Sequence, residues 1–128
     1  MILYLSGPMS GYPNFNREAF YSAEQELVDA GYQVVSPARL RVHAEGEPTW
    51  LDWMRPALQL MLEADAVAML PGWEESRGAN VELKLANQLG IDVSPVSAWL
   101  NHHPLQLTPR HPYDILDLQT AKKEIPNA

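Results

Sequence analysis

The 128-residue chain contains no cysteine, which removes disulfides and thiolate metal sites from consideration. It contains no apolar run near the roughly 18–20 residues that a membrane-spanning helix needs. Its opening, Met1-Ile2-Leu3-Tyr4-Leu5, has neither the basic region nor the cleavage site of a signal peptide, so a cytoplasmic location without membrane attachment is expected. Cations are scarce as well. Nine Lys and Arg stand against sixteen Asp and Glu, a formal charge of −7, and only Lys122 and Lys123 are adjacent. A protein that grips polymeric nucleic acid clusters its cations to displace counterions. That partner is therefore excluded, whereas a mononucleotide needs only one or two local donors and a helix N-terminus. His102-His103 is an adjacent pair with no partner carboxylate pattern, so no metal and no cofactor are expected.

What is present is a core. Hydrophobic residues make up 46% of the chain, enough for one domain at this length. Ile2 to Ser6 reads as a buried strand running into a Gly7-Pro8 loop. From Phe15 the pattern turns helical, with Phe15, Ala19, Ala23 and Leu27 on one face and Gly31 placed to end the helix. Tyr32 to Val35 is a second strand, and residues 38–48 form a polar loop. Thr49 caps the next helix with Asp52 at capping-box spacing, and Pro56 either kinks that helix or marks its true start. Asp65 to Leu70 is a third strand, with Asp65 expected to hydrogen-bond at its start. Ser76 caps a third helix that ends near Leu89-Gly90, and Ile91 to Val96 is a fourth strand, near the sheet edge because of Pro95.

Strands and helices alternating at this spacing predict a three-layer, doubly wound α/β sheet, mainly parallel, of the flavodoxin-like or Rossmann-like kind with four to five strands. The domain is expected over residues 1–100, followed by a Pro-rich tail over 101–128 that packs on the domain or on a partner subunit. Ligands of such sheets bind beyond the carboxyl ends of the strands. That rule gathers Ser6 to Asn14, Ser36 to Arg41 and Pro71 to Arg77 around one cleft.

The segment from Pro71 to Glu82 is the most informative. At about 100° per residue, Glu82 falls among Gly78, Ala79, Leu85, Ala86 and Leu89, the face that packs on the sheet. An unpartnered charge buried there costs several kcal/mol. Glu82 is thus a functional carboxylate, half of a structural ion pair with Arg55 or Arg77, or a residue at the rim. Ser76 caps the helix whose first N–H groups and partial positive charge face the cleft. In the first loop, Ser6, Gly7, Pro8, Met9, Ser10 and Gly11 form a second candidate anion site, although a Gly-Pro loop after a strand is more often only a turn. Trp73 lies outside any core stripe and is a candidate for stacking on a base. Tyr12 and Phe15 face it from the opposite wall, Phe15 being better explained as core. Arg17, Arg39 and Arg41 lie within reach of a phosphate. Asp52 is a general acid or base, or merely the partner of Thr49.

Tyr4-Leu5-Ser6-Gly7-Pro8-Met9-Ser10-Gly11 with Asn14-Phe15-Asn16, and Ala64-Asp65-Ala66-Val67 with Leu70-Pro71-Gly72-Trp73-Glu74-Glu75-Ser76-Arg77-Gly78-Ala79 and Glu82, resemble proteins of the DUF4406 type. The likeness spans roughly residues 2–96, and those proteins look like relatives of nucleoside 2-deoxyribosyltransferases and deoxynucleoside 5′-monophosphate N-glycosidases. The resemblance implies that Glu82 attacks C1′ of the sugar and that Asp52 serves as acid or base. It implies that Ser76, six positions before Glu82, holds a 5′-phosphate beside Arg77 and Gly78, with the loop from Gly7 to Gly11 lining sugar and phosphate. A homodimer or higher homo-oligomer is implied too. The terminal Asn that transferases borrow from a partner matches neither Asn101 nor Asn127, which favours hydrolysis over transfer. Two other readings stay open: a nucleotide-sensing module without turnover, and a phosphoribohydrolase of the Pro-Gly-Gly-x-Gly-Thr-x-x-Glu type, which Pro71-Gly72 and Gly78-Ala79-x-x-Glu82 echo.

Overall fold

The computed structural model describes residues 1–101, so the tail from His102 onward, including His103, Lys122, Lys123 and Asn127, lies outside the described residues. Four strands, β1 (Ile2–Ser6), β2 (Gln33–Val35), β3 (Ala66–Met69) and β4 (Asp92–Pro95), form one sheet in the order β2-β1-β3-β4. All pairings are parallel. The chain is a doubly wound α/β fold, and the strand order reverses between β1 and β3. β4 lies at the edge, where the missing N–H of Pro95 leaves no ladder bond broken.

Alternation along β1 builds the two faces. Leu3 and Leu5 point to one side, into a cluster with Phe20, Ala23 and Leu27 of helix α1 (Arg17–Asp29) and Val96 and Trp99 of helix α4 (Val96–Leu100). Tyr4 points to the other, with Val67, Met69, Met61 of helix α2 (Trp50–Leu62), and Ala79 and Ala86 of helix α3 (Arg77–Leu89). Helices on both faces complete three layers.

Local signals set most boundaries. Thr49 and Asp52 close a full capping box on α2, with Asp52 Oδ2 accepting from Thr49 N at 2.8 Å and Thr49 Oγ1 accepting from Asp52 N at 3.1 Å. The helix runs from Trp50 straight through Pro56. Ser76 caps α3 through its Oγ, which accepts from Ala79 N at 3.1 Å, and Gly90 ends it in left-handed backbone. Asp65 accepts from Ile2 N at 2.7 Å, tying the start of β3 to β1.

Two expectations are corrected. The first helix begins at Arg17, because Asn14, Phe15 and Asn16 all take positive φ (52°, 56° and 61°). Phe15 therefore leaves the core stripe and is 49% exposed, and Phe20 takes the buried position instead. Helix α4, absent from the sequence reading, closes the α1 side. There Trp99 Nε1 donates to the Val67 carbonyl at 3.0 Å, and Tyr32 OH donates to the Trp99 carbonyl at 2.9 Å.

Candidate active site

The switch between β1 and β3 opens into a cavity of about 470 Å³. One wall is the loop after β1, with Gly7, Met9 and Ser10. Another is the start of α3, with Ser76, Gly78, Ala79 and Glu82. The third is the face of α2, where Trp50, Trp53, Met54 and Ala57 recur at the i, i+3, i+4, i+7 spacing of one helical stripe. Phe15, Arg17, Pro37, Leu40, Glu47 and Pro48 complete the mouth.

Glu82 sits where the helical wheel puts it, buried at 5% exposure on the sheet side of α3. Among the described residues no arginine pairs with it. Its Oε2 accepts from Tyr4 OH at 2.6 Å and its Oε1 from Ser6 Oγ at 2.5 Å. Tyr4 and Ser6 are two residues apart on β1, so pleating aims both at α3, and both are fully buried. Burial pushes the Glu82 carboxyl above its ordinary range, while the bonds from Ser6 and Tyr4 pull it back. Tyr4 is raised well above the usual phenol value, first by burial and then by the Glu82 charge, so it stays a proton donor. Each carboxylate oxygen keeps lone pairs beyond those two bonds, and Glu82 itself lines the cavity.

Two glycines keep this geometry open. A Cβ on Gly7 would lie 2.7 Å from Leu70 Cβ, so only glycine lets the β1 loop close against the end of β3. A Cβ on Gly78 would come within 3.2 Å of Met54 Sδ, where α3 meets α2 beside the cavity.

The sequence candidates divide. Gly7, Met9, Ser10, Ser76, Gly78 and Glu82 line the cavity. Ser6 lies beneath it as a partner of Glu82, and Pro8 is buried with its carbonyl accepting from Asn16 Nδ2 at 2.8 Å. Gly11 is exposed away from the lining. Arg77 turns outward, its guanidinium 3.7 Å from the centre of the Trp50 ring. Trp73 does not face the cavity; it packs, half-buried, against the cluster around Met69 and Ala79, because the turn at Gly72 folds it back over the end of the sheet. Asp52 also lies outside the lining. Its carboxylate is occupied by the α2 cap, and the Thr49 backbone and side-chain bonds hold it below the ordinary carboxylate range. Arg39, on a loop assigned to the cleft, pairs instead with Glu24 at 2.9 Å.

Several contributors escaped the sequence reading, chief among them Tyr4, Glu47, Trp50 and Trp53. The strand alternation that pairs Tyr4 with Ser6, and the Trp50-Trp53-Met54-Ala57 stripe, were the available signals. Among the described residues, Glu47 is the other carboxylate on the cavity and Arg17 its one cation. No group of three or more metal-ligating side chains occurs among the described residues, and no described helix is long and apolar enough to cross a membrane.

A doubly wound parallel sheet with a shielded carboxylate on the cavity at its switch point defines an α/β protein of this architecture. The chain belongs to the DUF4406 family, a domain of unknown function whose profile matches residues 1–94. Among solved structures it is similar to a 2-deoxyribosyltransferase from the psychrotolerant bacterium Bacillus psychrosaccharolyticus, described as a biocatalyst for nucleoside synthesis. The TM-score is 0.55 at 24% identity, over 73% of this chain and 69% of that one, a likeness of fold. No protein of curated function matches the chain.

Proposed function

We propose that this protein cleaves the N-glycosidic bond of a nucleoside or nucleoside 5′-monophosphate, with Glu82 as nucleophile. The observation that carries the reading is a carboxylate withdrawn from water, gripped by Tyr4 and Ser6, and lining a cavity. Structural ion pairing with Arg55 or Arg77, the other explanation for a buried Glu, finds no such pair among the described residues. Similarity of fold to a 2-deoxyribosyltransferase agrees with this class of chemistry.

In the proposed reaction a Glu82 oxygen attacks C1′ as the C1′–N bond breaks. The base departs with the bonding electron pair and takes a proton from Glu47, which lines the same cavity. The sugar is left as an ester of Glu82. Water then gives its proton back to Glu47 and attacks C1′, releasing the free sugar and the carboxylate. Tyr4 and Ser6 hold the nucleophile in place and stabilise its charge each time it returns. A 5′-phosphate is assigned to the cation and N–H groups on the cavity. Ser76 Oγ uses its acceptor side for the α3 cap and keeps its proton for a ligand, the first N–H groups of α3 add partial positive charge, and Arg17 supplies a full one. Small-molecule binding of this kind needs no metal or cofactor. A homo-oligomer remains part of the proposal, because the transferase resemblance carries it.

The test is chromatographic separation of products after incubation with ribo- and deoxyribonucleosides and their 5′-monophosphates. Free base should appear with the natural protein and fall by at least about a thousandfold with Glu82→Gln, the scale of losing a nucleophile. Equal release by both would remove Glu82 from that role. Intact nucleotide recovered from every incubation would leave a sensor.

A further inference from the structure

Phe15 occupies backbone that bulky side chains rarely adopt. Asn14, Phe15 and Asn16 take three successive left-handed conformations, a region that disfavours residues with a Cβ. The turn is nevertheless pinned. Asn16 Nδ2 donates to the Pro8 carbonyl at 2.8 Å, Phe15 N donates to the Tyr12 carbonyl at 2.9 Å, and Arg17 donates to Asn14 Oδ1 at 3.3 Å. Its product is an aromatic ring held 49% exposed at the cavity mouth.

That ring faces Trp53, with centroids 6.3 Å apart and planes inclined by 35°. A planar group between two stacked rings needs roughly 7–8 Å from ring to ring, twice the optimal carbon–carbon separation. The pair must therefore open by about 1 Å to admit one, a shift within side-chain rotation. Around it the wall is apolar: Pro37, Leu40, Trp50 and Met54. Reading the edge of a base requires fixed donors and acceptors aimed at it. The polar side chains on this cavity are few: in the proposed reaction Glu82, Ser76 and Arg17 serve the sugar and phosphate, Glu47 gives a proton to whichever base departs, and Ser10 alone is left over, too little to tell one base edge from another.

Building on the nucleotide reading of the site, we infer that Phe15 and Trp53 close on the two faces of the substrate's base, which the cavity selects by aromatic surface and not by hydrogen-bonding edge. Every common base is then accepted. Purines bind more tightly than pyrimidines because they offer more stacking area.

Calorimetric titration in a Glu82→Gln background, where nothing turns over, tests this. The ligands are the 5′-monophosphates of deoxyadenosine, deoxyguanosine, deoxycytidine and thymidine, together with 2-deoxyribose 5-phosphate as a baseless control. All four nucleotides should bind, with the two purines tightest and close to each other. Phe15→Leu should weaken each nucleotide by about 5- to 100-fold, the range that base–aromatic stacking commands. Trp53→Leu, on a regular helix away from the unusual turn and from Arg17, which packs 5.2 Å from the centre of the Phe15 ring, should give the same loss and leave the sugar phosphate unchanged. Nucleotides that bind but lose nothing in either variant would overturn the clamp, as would a loss in Trp53→Leu shared equally by the sugar phosphate. One base binding far above the other three would show edge recognition and overturn it too. If neither nucleotide nor sugar phosphate binds before any clamp substitution, the nucleotide reading itself fails, and the clamp with it.

Discussion

A carboxylate withdrawn from water must either find donors or keep its proton, and Glu82 lies between those conditions. Burial favours its neutral form, and Tyr4 and Ser6 favour its charge. Removing one donor shifts the balance in a known direction. In Tyr4→Phe the Glu82 carboxyl should rise further, because the lost hydrogen bond was lowering it. In the proposed reaction base release needs the ionised form, so its acid limb should move to higher pH, and the plateau above it should fall by about tenfold or more. A pH–rate profile reads both. A limb that stays in place while activity falls at every pH would make Tyr4 a packing residue only. Glu82 itself was legible in the sequence, since helical phase alone put it on the buried face. Tyr4 was not: a tyrosine within an apolar strand reads as core until the facing carboxylate is known.

At the scale of elements, the cap of α2 separates two carboxylates that sequence cannot tell apart. Asp52 closes a capping box with Thr49, whereas Glu47, five residues earlier in an irregular loop, lines the cavity. Asp52→Ala should therefore lower the melting temperature and leave the rate of base release within about twofold, because a cap steadies a helix without touching substrate. The Asp52 carboxyl is held low in the fold, so the stability it contributes is present above the ordinary carboxylate range and fades as pH falls through the folded value. The difference in melting temperature should shrink accordingly in acid. Glu47→Gln should behave in the opposite way, with melting unchanged and turnover reduced about 100-fold, as expected on losing an acid–base group. The reverse pattern would return the acid role to Asp52. Helix starts at Thr49 and Ser76 were legible because capping is a local, side-chain-encoded event. The turn before α1 was not, because three left-handed residues in a row have no such code, and the apparent Phe15-Ala19 stripe continued a periodicity that the backbone interrupts.

Across the whole molecule, the parallel sheet and its two helical layers followed from alternation and spacing, since each apolar run could bury itself in only one way. Helix α4 escaped because five residues between a strand and a proline-rich stretch are too few to show a period. The fold has a cost built into its centre. With the Glu82 carboxyl raised above its ordinary range, the folded protein binds a proton that the unfolded chain releases as pH climbs past about 4.5. Stability is fully present below that value and declines until pH passes the folded one, which follows from the extra proton held by the native state. Glu82→Gln cannot titrate, yet its amide and carbonyl can still bond the Tyr4 and Ser6 hydroxyls. The melting temperature of the variant, measured against the natural protein from pH 4 to pH 7.5, should start nearly equal in acid and move upward as pH rises. It should then level off once Glu82 is ionised in both states. Tyr4, the other group that feels the Glu82 charge, is raised well above the usual phenol value and keeps its proton throughout this range, so the difference isolates this one side chain. A difference that stays flat with pH would mean that the carboxylate sits at no cost in the core, and that the fold has not traded stability for a reactive group at its switch point.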